Sequence, residues 1–289
     1  MMSIPENTRP LTGPTPQLKA PAGATDCHTH FFLPGFEAQE GGPPIAELAT
    51  VENYRALQQW LGLERVVITQ PNAYQANNDA LIEALDQFGP QVARAIAVIT
   101  PDTPQEELER LHKKGVRGAR IMQLPGGAVG IDRMLAVEDV IQDMGWHLMV
   151  QFNGRDLPDY YAELDKIKGR YIIDHIGKFI EPVSADDRRV DDILRLIDKG
   201  NAWFKICGAY ETSLTGGPDY ADVAPIARRV IQHAPDRILW GSNWPHVGVK
   251  RALYPSDAEQ LDVLLGWADE PTRQKILVNN PAFLYGFQQ

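Results

Sequence analysis

Short apolar runs alternate with amphipathic segments along almost the whole chain, and this alternation limits the folds that are open to it. Each run is dense in Val, Ile or aromatic residues, as expected of parallel strands that are buried on both faces. Strands are predicted at Ala24–His28, Arg65–Gln70, Arg94–Thr100, Val116–Met122, His147–Phe152, Tyr171–Ile176, Ala202–Gly208 and Ile238–Asn243. Helices are predicted between them at Val51–Leu63, Asn78–Phe88, Pro104–Lys114, Met134–Gly145, Asp187–Lys199 and Tyr220–Ala234.

Such a chain can form a closed (β/α)8 barrel or an open doubly wound sheet. Eight βα units in 289 residues match the usual size of the barrel. No Gly-rich dinucleotide fingerprint follows a strand, which argues against the open sheet. The sequence therefore predicts an α/β fold, a single TIM-type (β/α)8 barrel over residues 24–289. Residues 1–23 are rich in proline and are predicted to form an extended arm.

The charge and cysteine content exclude several functions. The formal net charge is −10 and the sequence pI is about 5.2, so nucleic acid and anionic membranes are poor partners. No apolar run approaches the ~18 residues that a membrane span needs. The two cysteines, Cys27 and Cys207, form no disulfide framework and are expected to be small core residues. We expect a cytoplasmic protein whose partner is a small molecule.

Histidines and other polar side chains collect where the predicted strands end. In a barrel these ends carry the chemistry. His28 and His30 are two residues apart on the first strand and therefore share a face. His175 lies at the end of the sixth predicted strand, Asn243 is the last residue of the eighth, and His246 follows it. A single strand histidine is usually a packing residue, but three of them at the same end of a barrel predict an active site.

Further polar residues at the same end are candidates for substrate binding. Arg120 and Lys205 are the cations best placed to hold a carboxylate, and the planar guanidinium of Arg120 suits it better. The remaining candidates carry hydrogen-bonding groups at the ends of strands 2, 5, 7 and 8: Asn72, Asn153, Tyr210 and His246. A rim role is the alternative for His246 and for Lys178.

These residues resemble the amidohydrolase superfamily, in the branch that includes 2-pyrone-4,6-dicarboxylate lactonase and D-galactarolactone isomerase. The similarity runs from Asp26 to about Phe287 and rests on DCHTHFF, IIDHIGK, WFKICGAY and RILWGSNWPH. It implies an amidohydrolase-like barrel in which two histidines of strand 1, a later histidine and an aspartate of strand 8 surround the reacting group. His28, His30 and His175 occupy the histidine positions.

At the aspartate position this chain has Asn243. An amide cannot take a proton from water near neutral pH, so hydrolysis should be impaired. The change also removes an anionic metal ligand. We therefore expect that no metal is required, although Zn²⁺ could bind adventitiously to His28, His30 and His175. We expect no other acidic side chain over the three imidazoles, and finding one there would contradict this reading.

The resemblance implies a reaction that tolerates this loss. In the isomerase of the branch, a hydroxyl of a sugar-diacid 1,5-lactone attacks the lactone carbonyl and gives the 1,4-lactone. His28, His30 and His175 are then the expected N–H donors to the oxyanion. Asn243 is expected to orient the attacking hydroxyl or to bond the leaving oxygen. His246 and Asp79 are the candidates for moving the proton. The alternatives are a lactonase that uses His246 or Asp79 as base and a non-catalytic binder of sugar acids.

Overall fold

The computed structural model describes residues 4–250 and 253–288, and its parallel strands form the predicted barrel. Their order in the sheet is the order in the chain. The strands are β1 (Thr25–Thr29), β2 (Arg65–Thr69), β3 (Ala93–Ala97), β4 (Val116–Met122), β5 (His147–Gln151), β6 (Tyr171–Ile173), β7 (Ala202–Cys207) and β8 (Ile238–Gly241). All eight predicted strands are present.

The sheet closes between the end of β8 and β1. The Asn243 backbone N–H donates to the His28 carbonyl at 2.9 Å, and the His30 N–H donates to the Trp244 carbonyl at 2.8 Å. These bonds place the segment after β8 directly beside the two histidines of β1. The chain segment that carries Asn243 is thereby fixed at the carboxyl end of the barrel.

The helices cover the outside of the barrel, as amphipathic segments between parallel strands do. They are α1 (Val51–Leu61), α2 (Asp79–Phe88), α3 (Gln105–Lys114), α4 (Met134–Ile141), α5 (Leu157–Asp165), α6 (Arg188–Asp198), α7 (Ala224–His233), α8 (Asp257–Trp267), α9 (Glu270–Gln274) and α10 (Asn280–Tyr285). The six predicted helices correspond to α1–α4, α6 and α7. Among the described residues, no helix is long and apolar enough to cross a membrane.

The interior of the barrel divides into an apolar layer and a polar layer. The apolar layer joins strand residues to the last helix: Cys27, Val67, Ile96, Met149, Ile172, Trp203, Leu239, Ala282, Leu284, Tyr285 and Phe287. The buried side chains of His28, Asp174 and Lys205 belong to the polar layer. The apolar layer thus supports a charged cluster that has no access to solvent.

Residues 4–23 contain no helix or strand but make defined contacts. The Leu48 N–H donates to the Pro5 carbonyl at 2.8 Å. The Thr8 N–H and hydroxyl both donate to Glu47 Oε2 at 2.7 Å. The predicted arm is therefore attached to the loop between β1 and α1.

Candidate active site

A cavity of about 400 Å³ opens at the carboxyl ends of the strands. Its volume lies in the range of small-molecule sites. Its polar lining residues are Arg9, His30, Glu47, Asn72, Arg120, Gln151, His175, Lys178, Glu211 and Asn243. Apolar residues of the loops after β1 and β8, such as Ile45 and Val247, complete the wall. The predicted site thus corresponds to a real cavity.

Neutral imidazoles connect Lys205 to the backbone of β2. His30 Nδ1 lies 2.8 Å from the Thr69 carbonyl, which can only accept, so this nitrogen carries the proton. His30 Nε2 lies 3.2 Å from His28 Nε2. Burial lowers the pKa of His28 to about 3 and that of His30 well below its ordinary value. His28 must therefore donate through Nε2 to His30, which leaves His28 Nδ1 to accept from Lys205 Nζ at 3.4 Å.

These hydrogen bonds change the role that we expected for His28 and His30. The N–H groups of His28 and His30 are both used inside the protein. His28 has no exposed surface and is not among the residues that line the cavity. Neither ring can donate to an oxyanion in this arrangement, so His28 supports His30 from behind while His30 faces the cavity.

Asp174 and Lys205 form a buried ion pair behind the histidines. Lys205 Nζ lies 3.6 Å from Asp174 Oδ1, and both side chains are fully buried. Asp174 Oδ2 lies 3.4 Å from His28 Nδ1. Burial opposes the charge of Asp174, but Lys205 and the histidines outweigh it and hold its pKa well below the ordinary value. Lys205 is therefore not a carboxylate ligand of the substrate, as we had expected, but the counter-ion of Asp174.

His175 lies between two carboxylates. Its Nδ1 is 2.9 Å from Glu211 Oε2, and its Nε2 is 3.5 Å from Asp174 Oδ2. The first contact is close but is not an aligned hydrogen bond. Glu211 Oε2 also accepts from Lys178 Nζ. His175 and Lys178 both have positive φ, of 52° and 46°, a conformation that often marks functional sites.

The assumption that no other acidic side chain faces the imidazoles is wrong. Glu211 lines the cavity beside His175, and Asp174 lies behind it. Burial raises the pKa of Glu211, but His175 and Lys178 outweigh burial and lower it below the ordinary value. Glu211 is therefore an ionised but weak base, and its Oε2 is occupied. This separates it from an aspartate that is free to activate water.

The side chain of Asn243 is held by a chain of hydrogen bonds outside the cavity. His246 Nε2 lies 3.0 Å from Asp257 Oδ1, and His246 Nδ1 lies 2.9 Å from the Tyr210 hydroxyl. Asn243 Nδ2 donates to the Tyr210 oxygen at 2.7 Å. Asp257 can only accept, so His246 donates to Asp257, the Tyr210 hydroxyl donates to His246, and Asn243 donates to Tyr210. The amide nitrogen of Asn243 is used, and its Oδ1 is left for the cavity.

Arg120 occupies the predicted position for a carboxylate ligand. Its Nη1 donates to the Gln70 carbonyl at 2.6 Å and its Nη2 donates to Gln151 Oε1 at 3.0 Å. Its Nε is buried without a partner among the described residues. Asn72 also lines the cavity and lies 2.9 Å from Met122 Sδ.

Other predicted residues lie outside the cavity lining. Asn153 accepts from the backbone N–H groups of Arg155 and Ile180 at 3.2 Å and so organises its own loop. Tyr210 bonds to Asn243 and His246 bonds to Tyr210, and neither residue lines the cavity. Asp79 is exposed at the start of α2 and lies 3.6 Å from Arg110. It cannot serve as the base of this site.

Gly208 allows the functional groups to approach one another. Its φ is +62°, which favours glycine. A Cβ atom here would lie 2.8 Å from His175 Nδ1, 3.1 Å from Glu211 Oε2 and 3.3 Å from Asn243 Nδ2. His175, Glu211 and Asn243 therefore meet around a residue that has no side chain.

Several residues that the structure brings to the site had only weak signals in the sequence. Asp174 and Lys178 belong to the same motif as His175, yet their partners are distant in sequence. Glu211 follows β7 and could have been assigned a surface ion pair just as well. Arg9 belongs to the arm, where no periodic pattern points to a site.

The described residues include one cluster that could hold a metal ion, but its surroundings do not favour zinc. His28, His175 and Cys207 place one ligand atom each within 4.8 Å of one another. Both ring nitrogens of His28 already contact protein groups, His30 Nε2 at 3.2 Å and Lys205 Nζ at 3.4 Å, and the Lys205 ammonium would repel a metal cation. Asn243 adds no anionic ligand. The donor set therefore fits Zn²⁺ poorly.

The family model described as amidohydrolase matches residues 25–287. The chain therefore belongs to the amidohydrolase family. It is 43% identical to D-galactarolactone isomerase of Agrobacterium fabrum over 284 residues, which covers 97% of both chains. It is 32% identical to 2-pyrone-4,6-dicarboxylate hydrolase of Comamonas testosteroni over 286 residues, which covers 93% of this chain and 92% of the relative.

Solved structures agree with this assignment. An apo crystal structure from Agrobacterium tumefaciens superposes with a TM-score of 0.91 at 41% identity and covers 97% of this chain and 99% of its own. A Burkholderia multivorans amidohydrolase with bound zinc shares the fold at a TM-score of 0.72 and 19% identity, covering 92% of this chain and 100% of its own. Zinc is thus bound by at least one structure of this fold.

Proposed function

We propose that this protein is a lactone isomerase that converts a sugar-diacid 1,5-lactone, D-galactaro-1,5-lactone, to the 1,4-lactone. The observation that carries the proposal is the side chain of Asn243, which lines the cavity at the end of β8 and cannot ionise. The relative of known activity that is 43% identical is an isomerase, which supports the same reaction.

Arg120 binds the free carboxylate of the lactone in this proposal. Three cations line the cavity among the described residues, and two of them already have a carboxylate: Arg9 pairs with Glu47 and Lys178 pairs with Glu211. The partners of Arg120 are a carbonyl and an amide, both of them neutral. A buried guanidinium without a counter-ion favours an anionic ligand. One such cation suits a lactone that retains one of its two acid groups.

Asn243 orients the attacking hydroxyl. Its Nδ2 is fixed on Tyr210, so Oδ1 is the atom available to accept from the substrate. The hydroxyl attacks the lactone carbonyl, a new C–O bond forms, and the bond to the ring oxygen breaks. A tethered hydroxyl reacts with an effective molarity of ~10⁵ M or more, far above the roughly 55 M of water. The isomerisation therefore proceeds without a strong base.

Lys178 and His175 stabilise the charge that develops. Lys178 is an ammonium at the cavity wall and supplies a donor for the oxyanion. His175 carries the proton from the attacking hydroxyl to the ring oxygen, with Glu211 at its Nδ1. The proton that leaves one oxygen reaches the other, so no net proton is exchanged with solvent.

We propose further that turnover requires no metal and that the protein is cytoplasmic. The contacts of His28 with His30 and with the Lys205 ammonium, and the missing anionic ligand at Asn243, support the first point. The two buried free cysteines are typical of a reducing compartment and support the second.

Product analysis by NMR tests the proposal. Wild-type protein should convert D-galactaro-1,5-lactone to the 1,4-lactone without open-chain acid. Asn243→Asp supplies a base and should raise hydrolysis by about 10²-fold, the lower range for general-base catalysis. Asn243→Ala is the control: it should lower isomerisation without gaining hydrolysis. Open-chain acid as the main wild-type product would support the second candidate, a lactonase in which Glu211 is the base. The absence of turnover would support a non-catalytic binder.

A further inference from the structure

We propose that Arg9, supplied by the N-terminal arm, is a substrate-binding residue that determines specificity for polyhydroxylated acids. This inference rests on the proposed function, because it concerns the ligand of the same cavity. Its starting observation is that Arg9 lies outside the barrel in sequence but lines the cavity beside the loop after β1.

The part of the arm around Arg9 is fastened by the carboxylate of Glu47. Glu47 accepts from the Thr8 N–H and hydroxyl through Oε2, and from Arg9 Nη1 and the Tyr254 hydroxyl through Oε1. An ionised carboxylate offers about four acceptor positions, so those of Glu47 are filled. Glu47 therefore holds the arm in place and has little capacity left for a ligand.

Arg9, in contrast, has hydrogen-bond donors that are not used within the protein. Arg9 is 8% exposed, and the structure shows Nη1 on Glu47 but leaves Nε buried without a partner among the described residues. The guanidinium carbon lies 4.7 Å from the centre of the Tyr254 ring, which restrains the plane of the group. A guanidinium has five N–H donors in a rigid fork. Several donors thus remain for an acceptor at the cavity wall.

The ligand chemistry follows from this arrangement. The charge of Arg9 is already balanced by Glu47, so Arg9 adds hydrogen-bond donors rather than net charge. Hydroxyl and carboxylate oxygens accept such bonds, whereas a purely apolar ring does not. Arg120 then holds the carboxylate while Arg9 recognises the oxygen-rich remainder, and the arm becomes part of the wall that surrounds a sugar acid.

Kinetics of Arg9→Ala on D-galactaro-1,5-lactone test the proposal. Loss of a charged hydrogen bond should raise KM by about 10- to 100-fold and change kcat little. Lys19→Ala, an exposed charge of the same arm, is the matched control and should behave as wild type. Arg9→Lys should restore only part of the affinity, because it retains the charge but lacks the fork.

A second variant separates binding from folding. Arg9→Ala leaves Glu47 with a missing partner, so the double variant Arg9→Gln/Glu47→Gln removes both charges. Thermal unfolding reports whether each variant is folded. A KM within two-fold of wild type in both folded variants would overturn the proposal.

Calorimetric titration with open-chain galactarate separates this proposal from the proposed function. Galactarate has the hydroxyls of the lactone but no ring to isomerise. If wild type binds it and Arg9→Ala binds it at least 10-fold more weakly, the role of Arg9 stands even where no lactone is turned over. Equal binding by the two proteins, or no binding by wild type, counts against Arg9.

Discussion

The Tyr210 hydroxyl accepts a hydrogen bond from Asn243 Nδ2 at 2.7 Å. The direction of this bond is set by Asp257, which can only accept and therefore orders His246 and Tyr210 in turn. An amide at position 243 is thus turned so that its oxygen faces the cavity. The residue that distinguishes this chain from the hydrolytic pattern is positioned by residues that do not line the cavity.

Tyr210→Phe should lower the kcat of isomerisation by about 10-fold or more, because Asn243 loses its acceptor and the amide is free to turn. The KM should change less, since Tyr210 does not line the cavity. Steady-state kinetics measure both constants. The control is Tyr171→Phe, which removes another buried hydroxyl that has no partner among the described residues. Equal kcat values in the two variants would contradict the role of Tyr210.

Glu211→Gln should lower kcat by about 10²-fold, because it removes the carboxylate at His175 Nδ1 and leaves Lys178 without its counter-ion. Glu211→Asp should recover part of the loss. The measurement is kcat for the lactone over a range of pH, with circular dichroism as a check on folding. A rate close to that of wild type would exclude Glu211 and its pair with His175 from proton transfer.

His147→Leu should make the protein less sensitive to acid. Burial lowers the pKa of His147 to about 3, and neither ring nitrogen has a partner in the described part of the chain. In the unfolded chain His147 binds a proton near its ordinary pKa of 6.5, whereas in the folded protein it stays neutral. The folded state therefore loses stability relative to the unfolded chain as the pH falls from 6.5 towards 3. The slope is at most about 1.4 kcal/mol per pH unit for one group.

Urea unfolding of wild type and His147→Leu at pH 7.5 and at pH 5 measures this effect. The variant should lose less stability between the two values. Both proteins should also lose stability at pH 5 through His28, because burial lowers its pKa to about 3. Asp26 acts the other way, because burial raises its pKa to about 6. Equal losses in the two proteins would show that His147 is protonated in the folded state.

Exhaustive chelation should leave isomerase activity unchanged, because both ring nitrogens of His28 already contact protein groups and Asn243 adds no anionic ligand. Activity before and after dialysis against a chelator, together with metal analysis of both samples, measures this. Carbonic anhydrase treated in parallel confirms that the procedure removes zinc. A loss of activity that added Zn²⁺ restores would contradict the metal-free proposal.

The sequence predicted the barrel and the approach of His28 to His30 because both depend on local periodicity. It was less accurate where chain direction changes: β6 ends at Ile173, and His175–Gly177 form a short 3-10 turn in which Ile176 has a φ of 55°. Buried ion pairs were harder still. Lys205 was expected at the substrate, but the partner that keeps it inside, Asp174, is 31 residues away in sequence.

The same reason explains the remaining errors. Asn153 has a side chain that could bind a ligand, yet its oxygen accepts from two nearby backbone N–H groups. The role of Glu211 was not apparent from the sequence, because its partners His175 and Lys178 come from another strand end. Polar residue types at strand ends predict where a site lies. They do not predict which of the residues pair with each other.

The bare backbone at Gly208 also bears on how this enzyme could acquire a new reaction. Position 243 can exchange one planar group for another of equal size, so a single substitution there alters the chemistry without moving its surroundings. Position 208 offers no such freedom, since even a methyl group would meet an imidazole nitrogen at 2.8 Å. Laboratory evolution should therefore recover changes of activity at 243 and find 208 invariant.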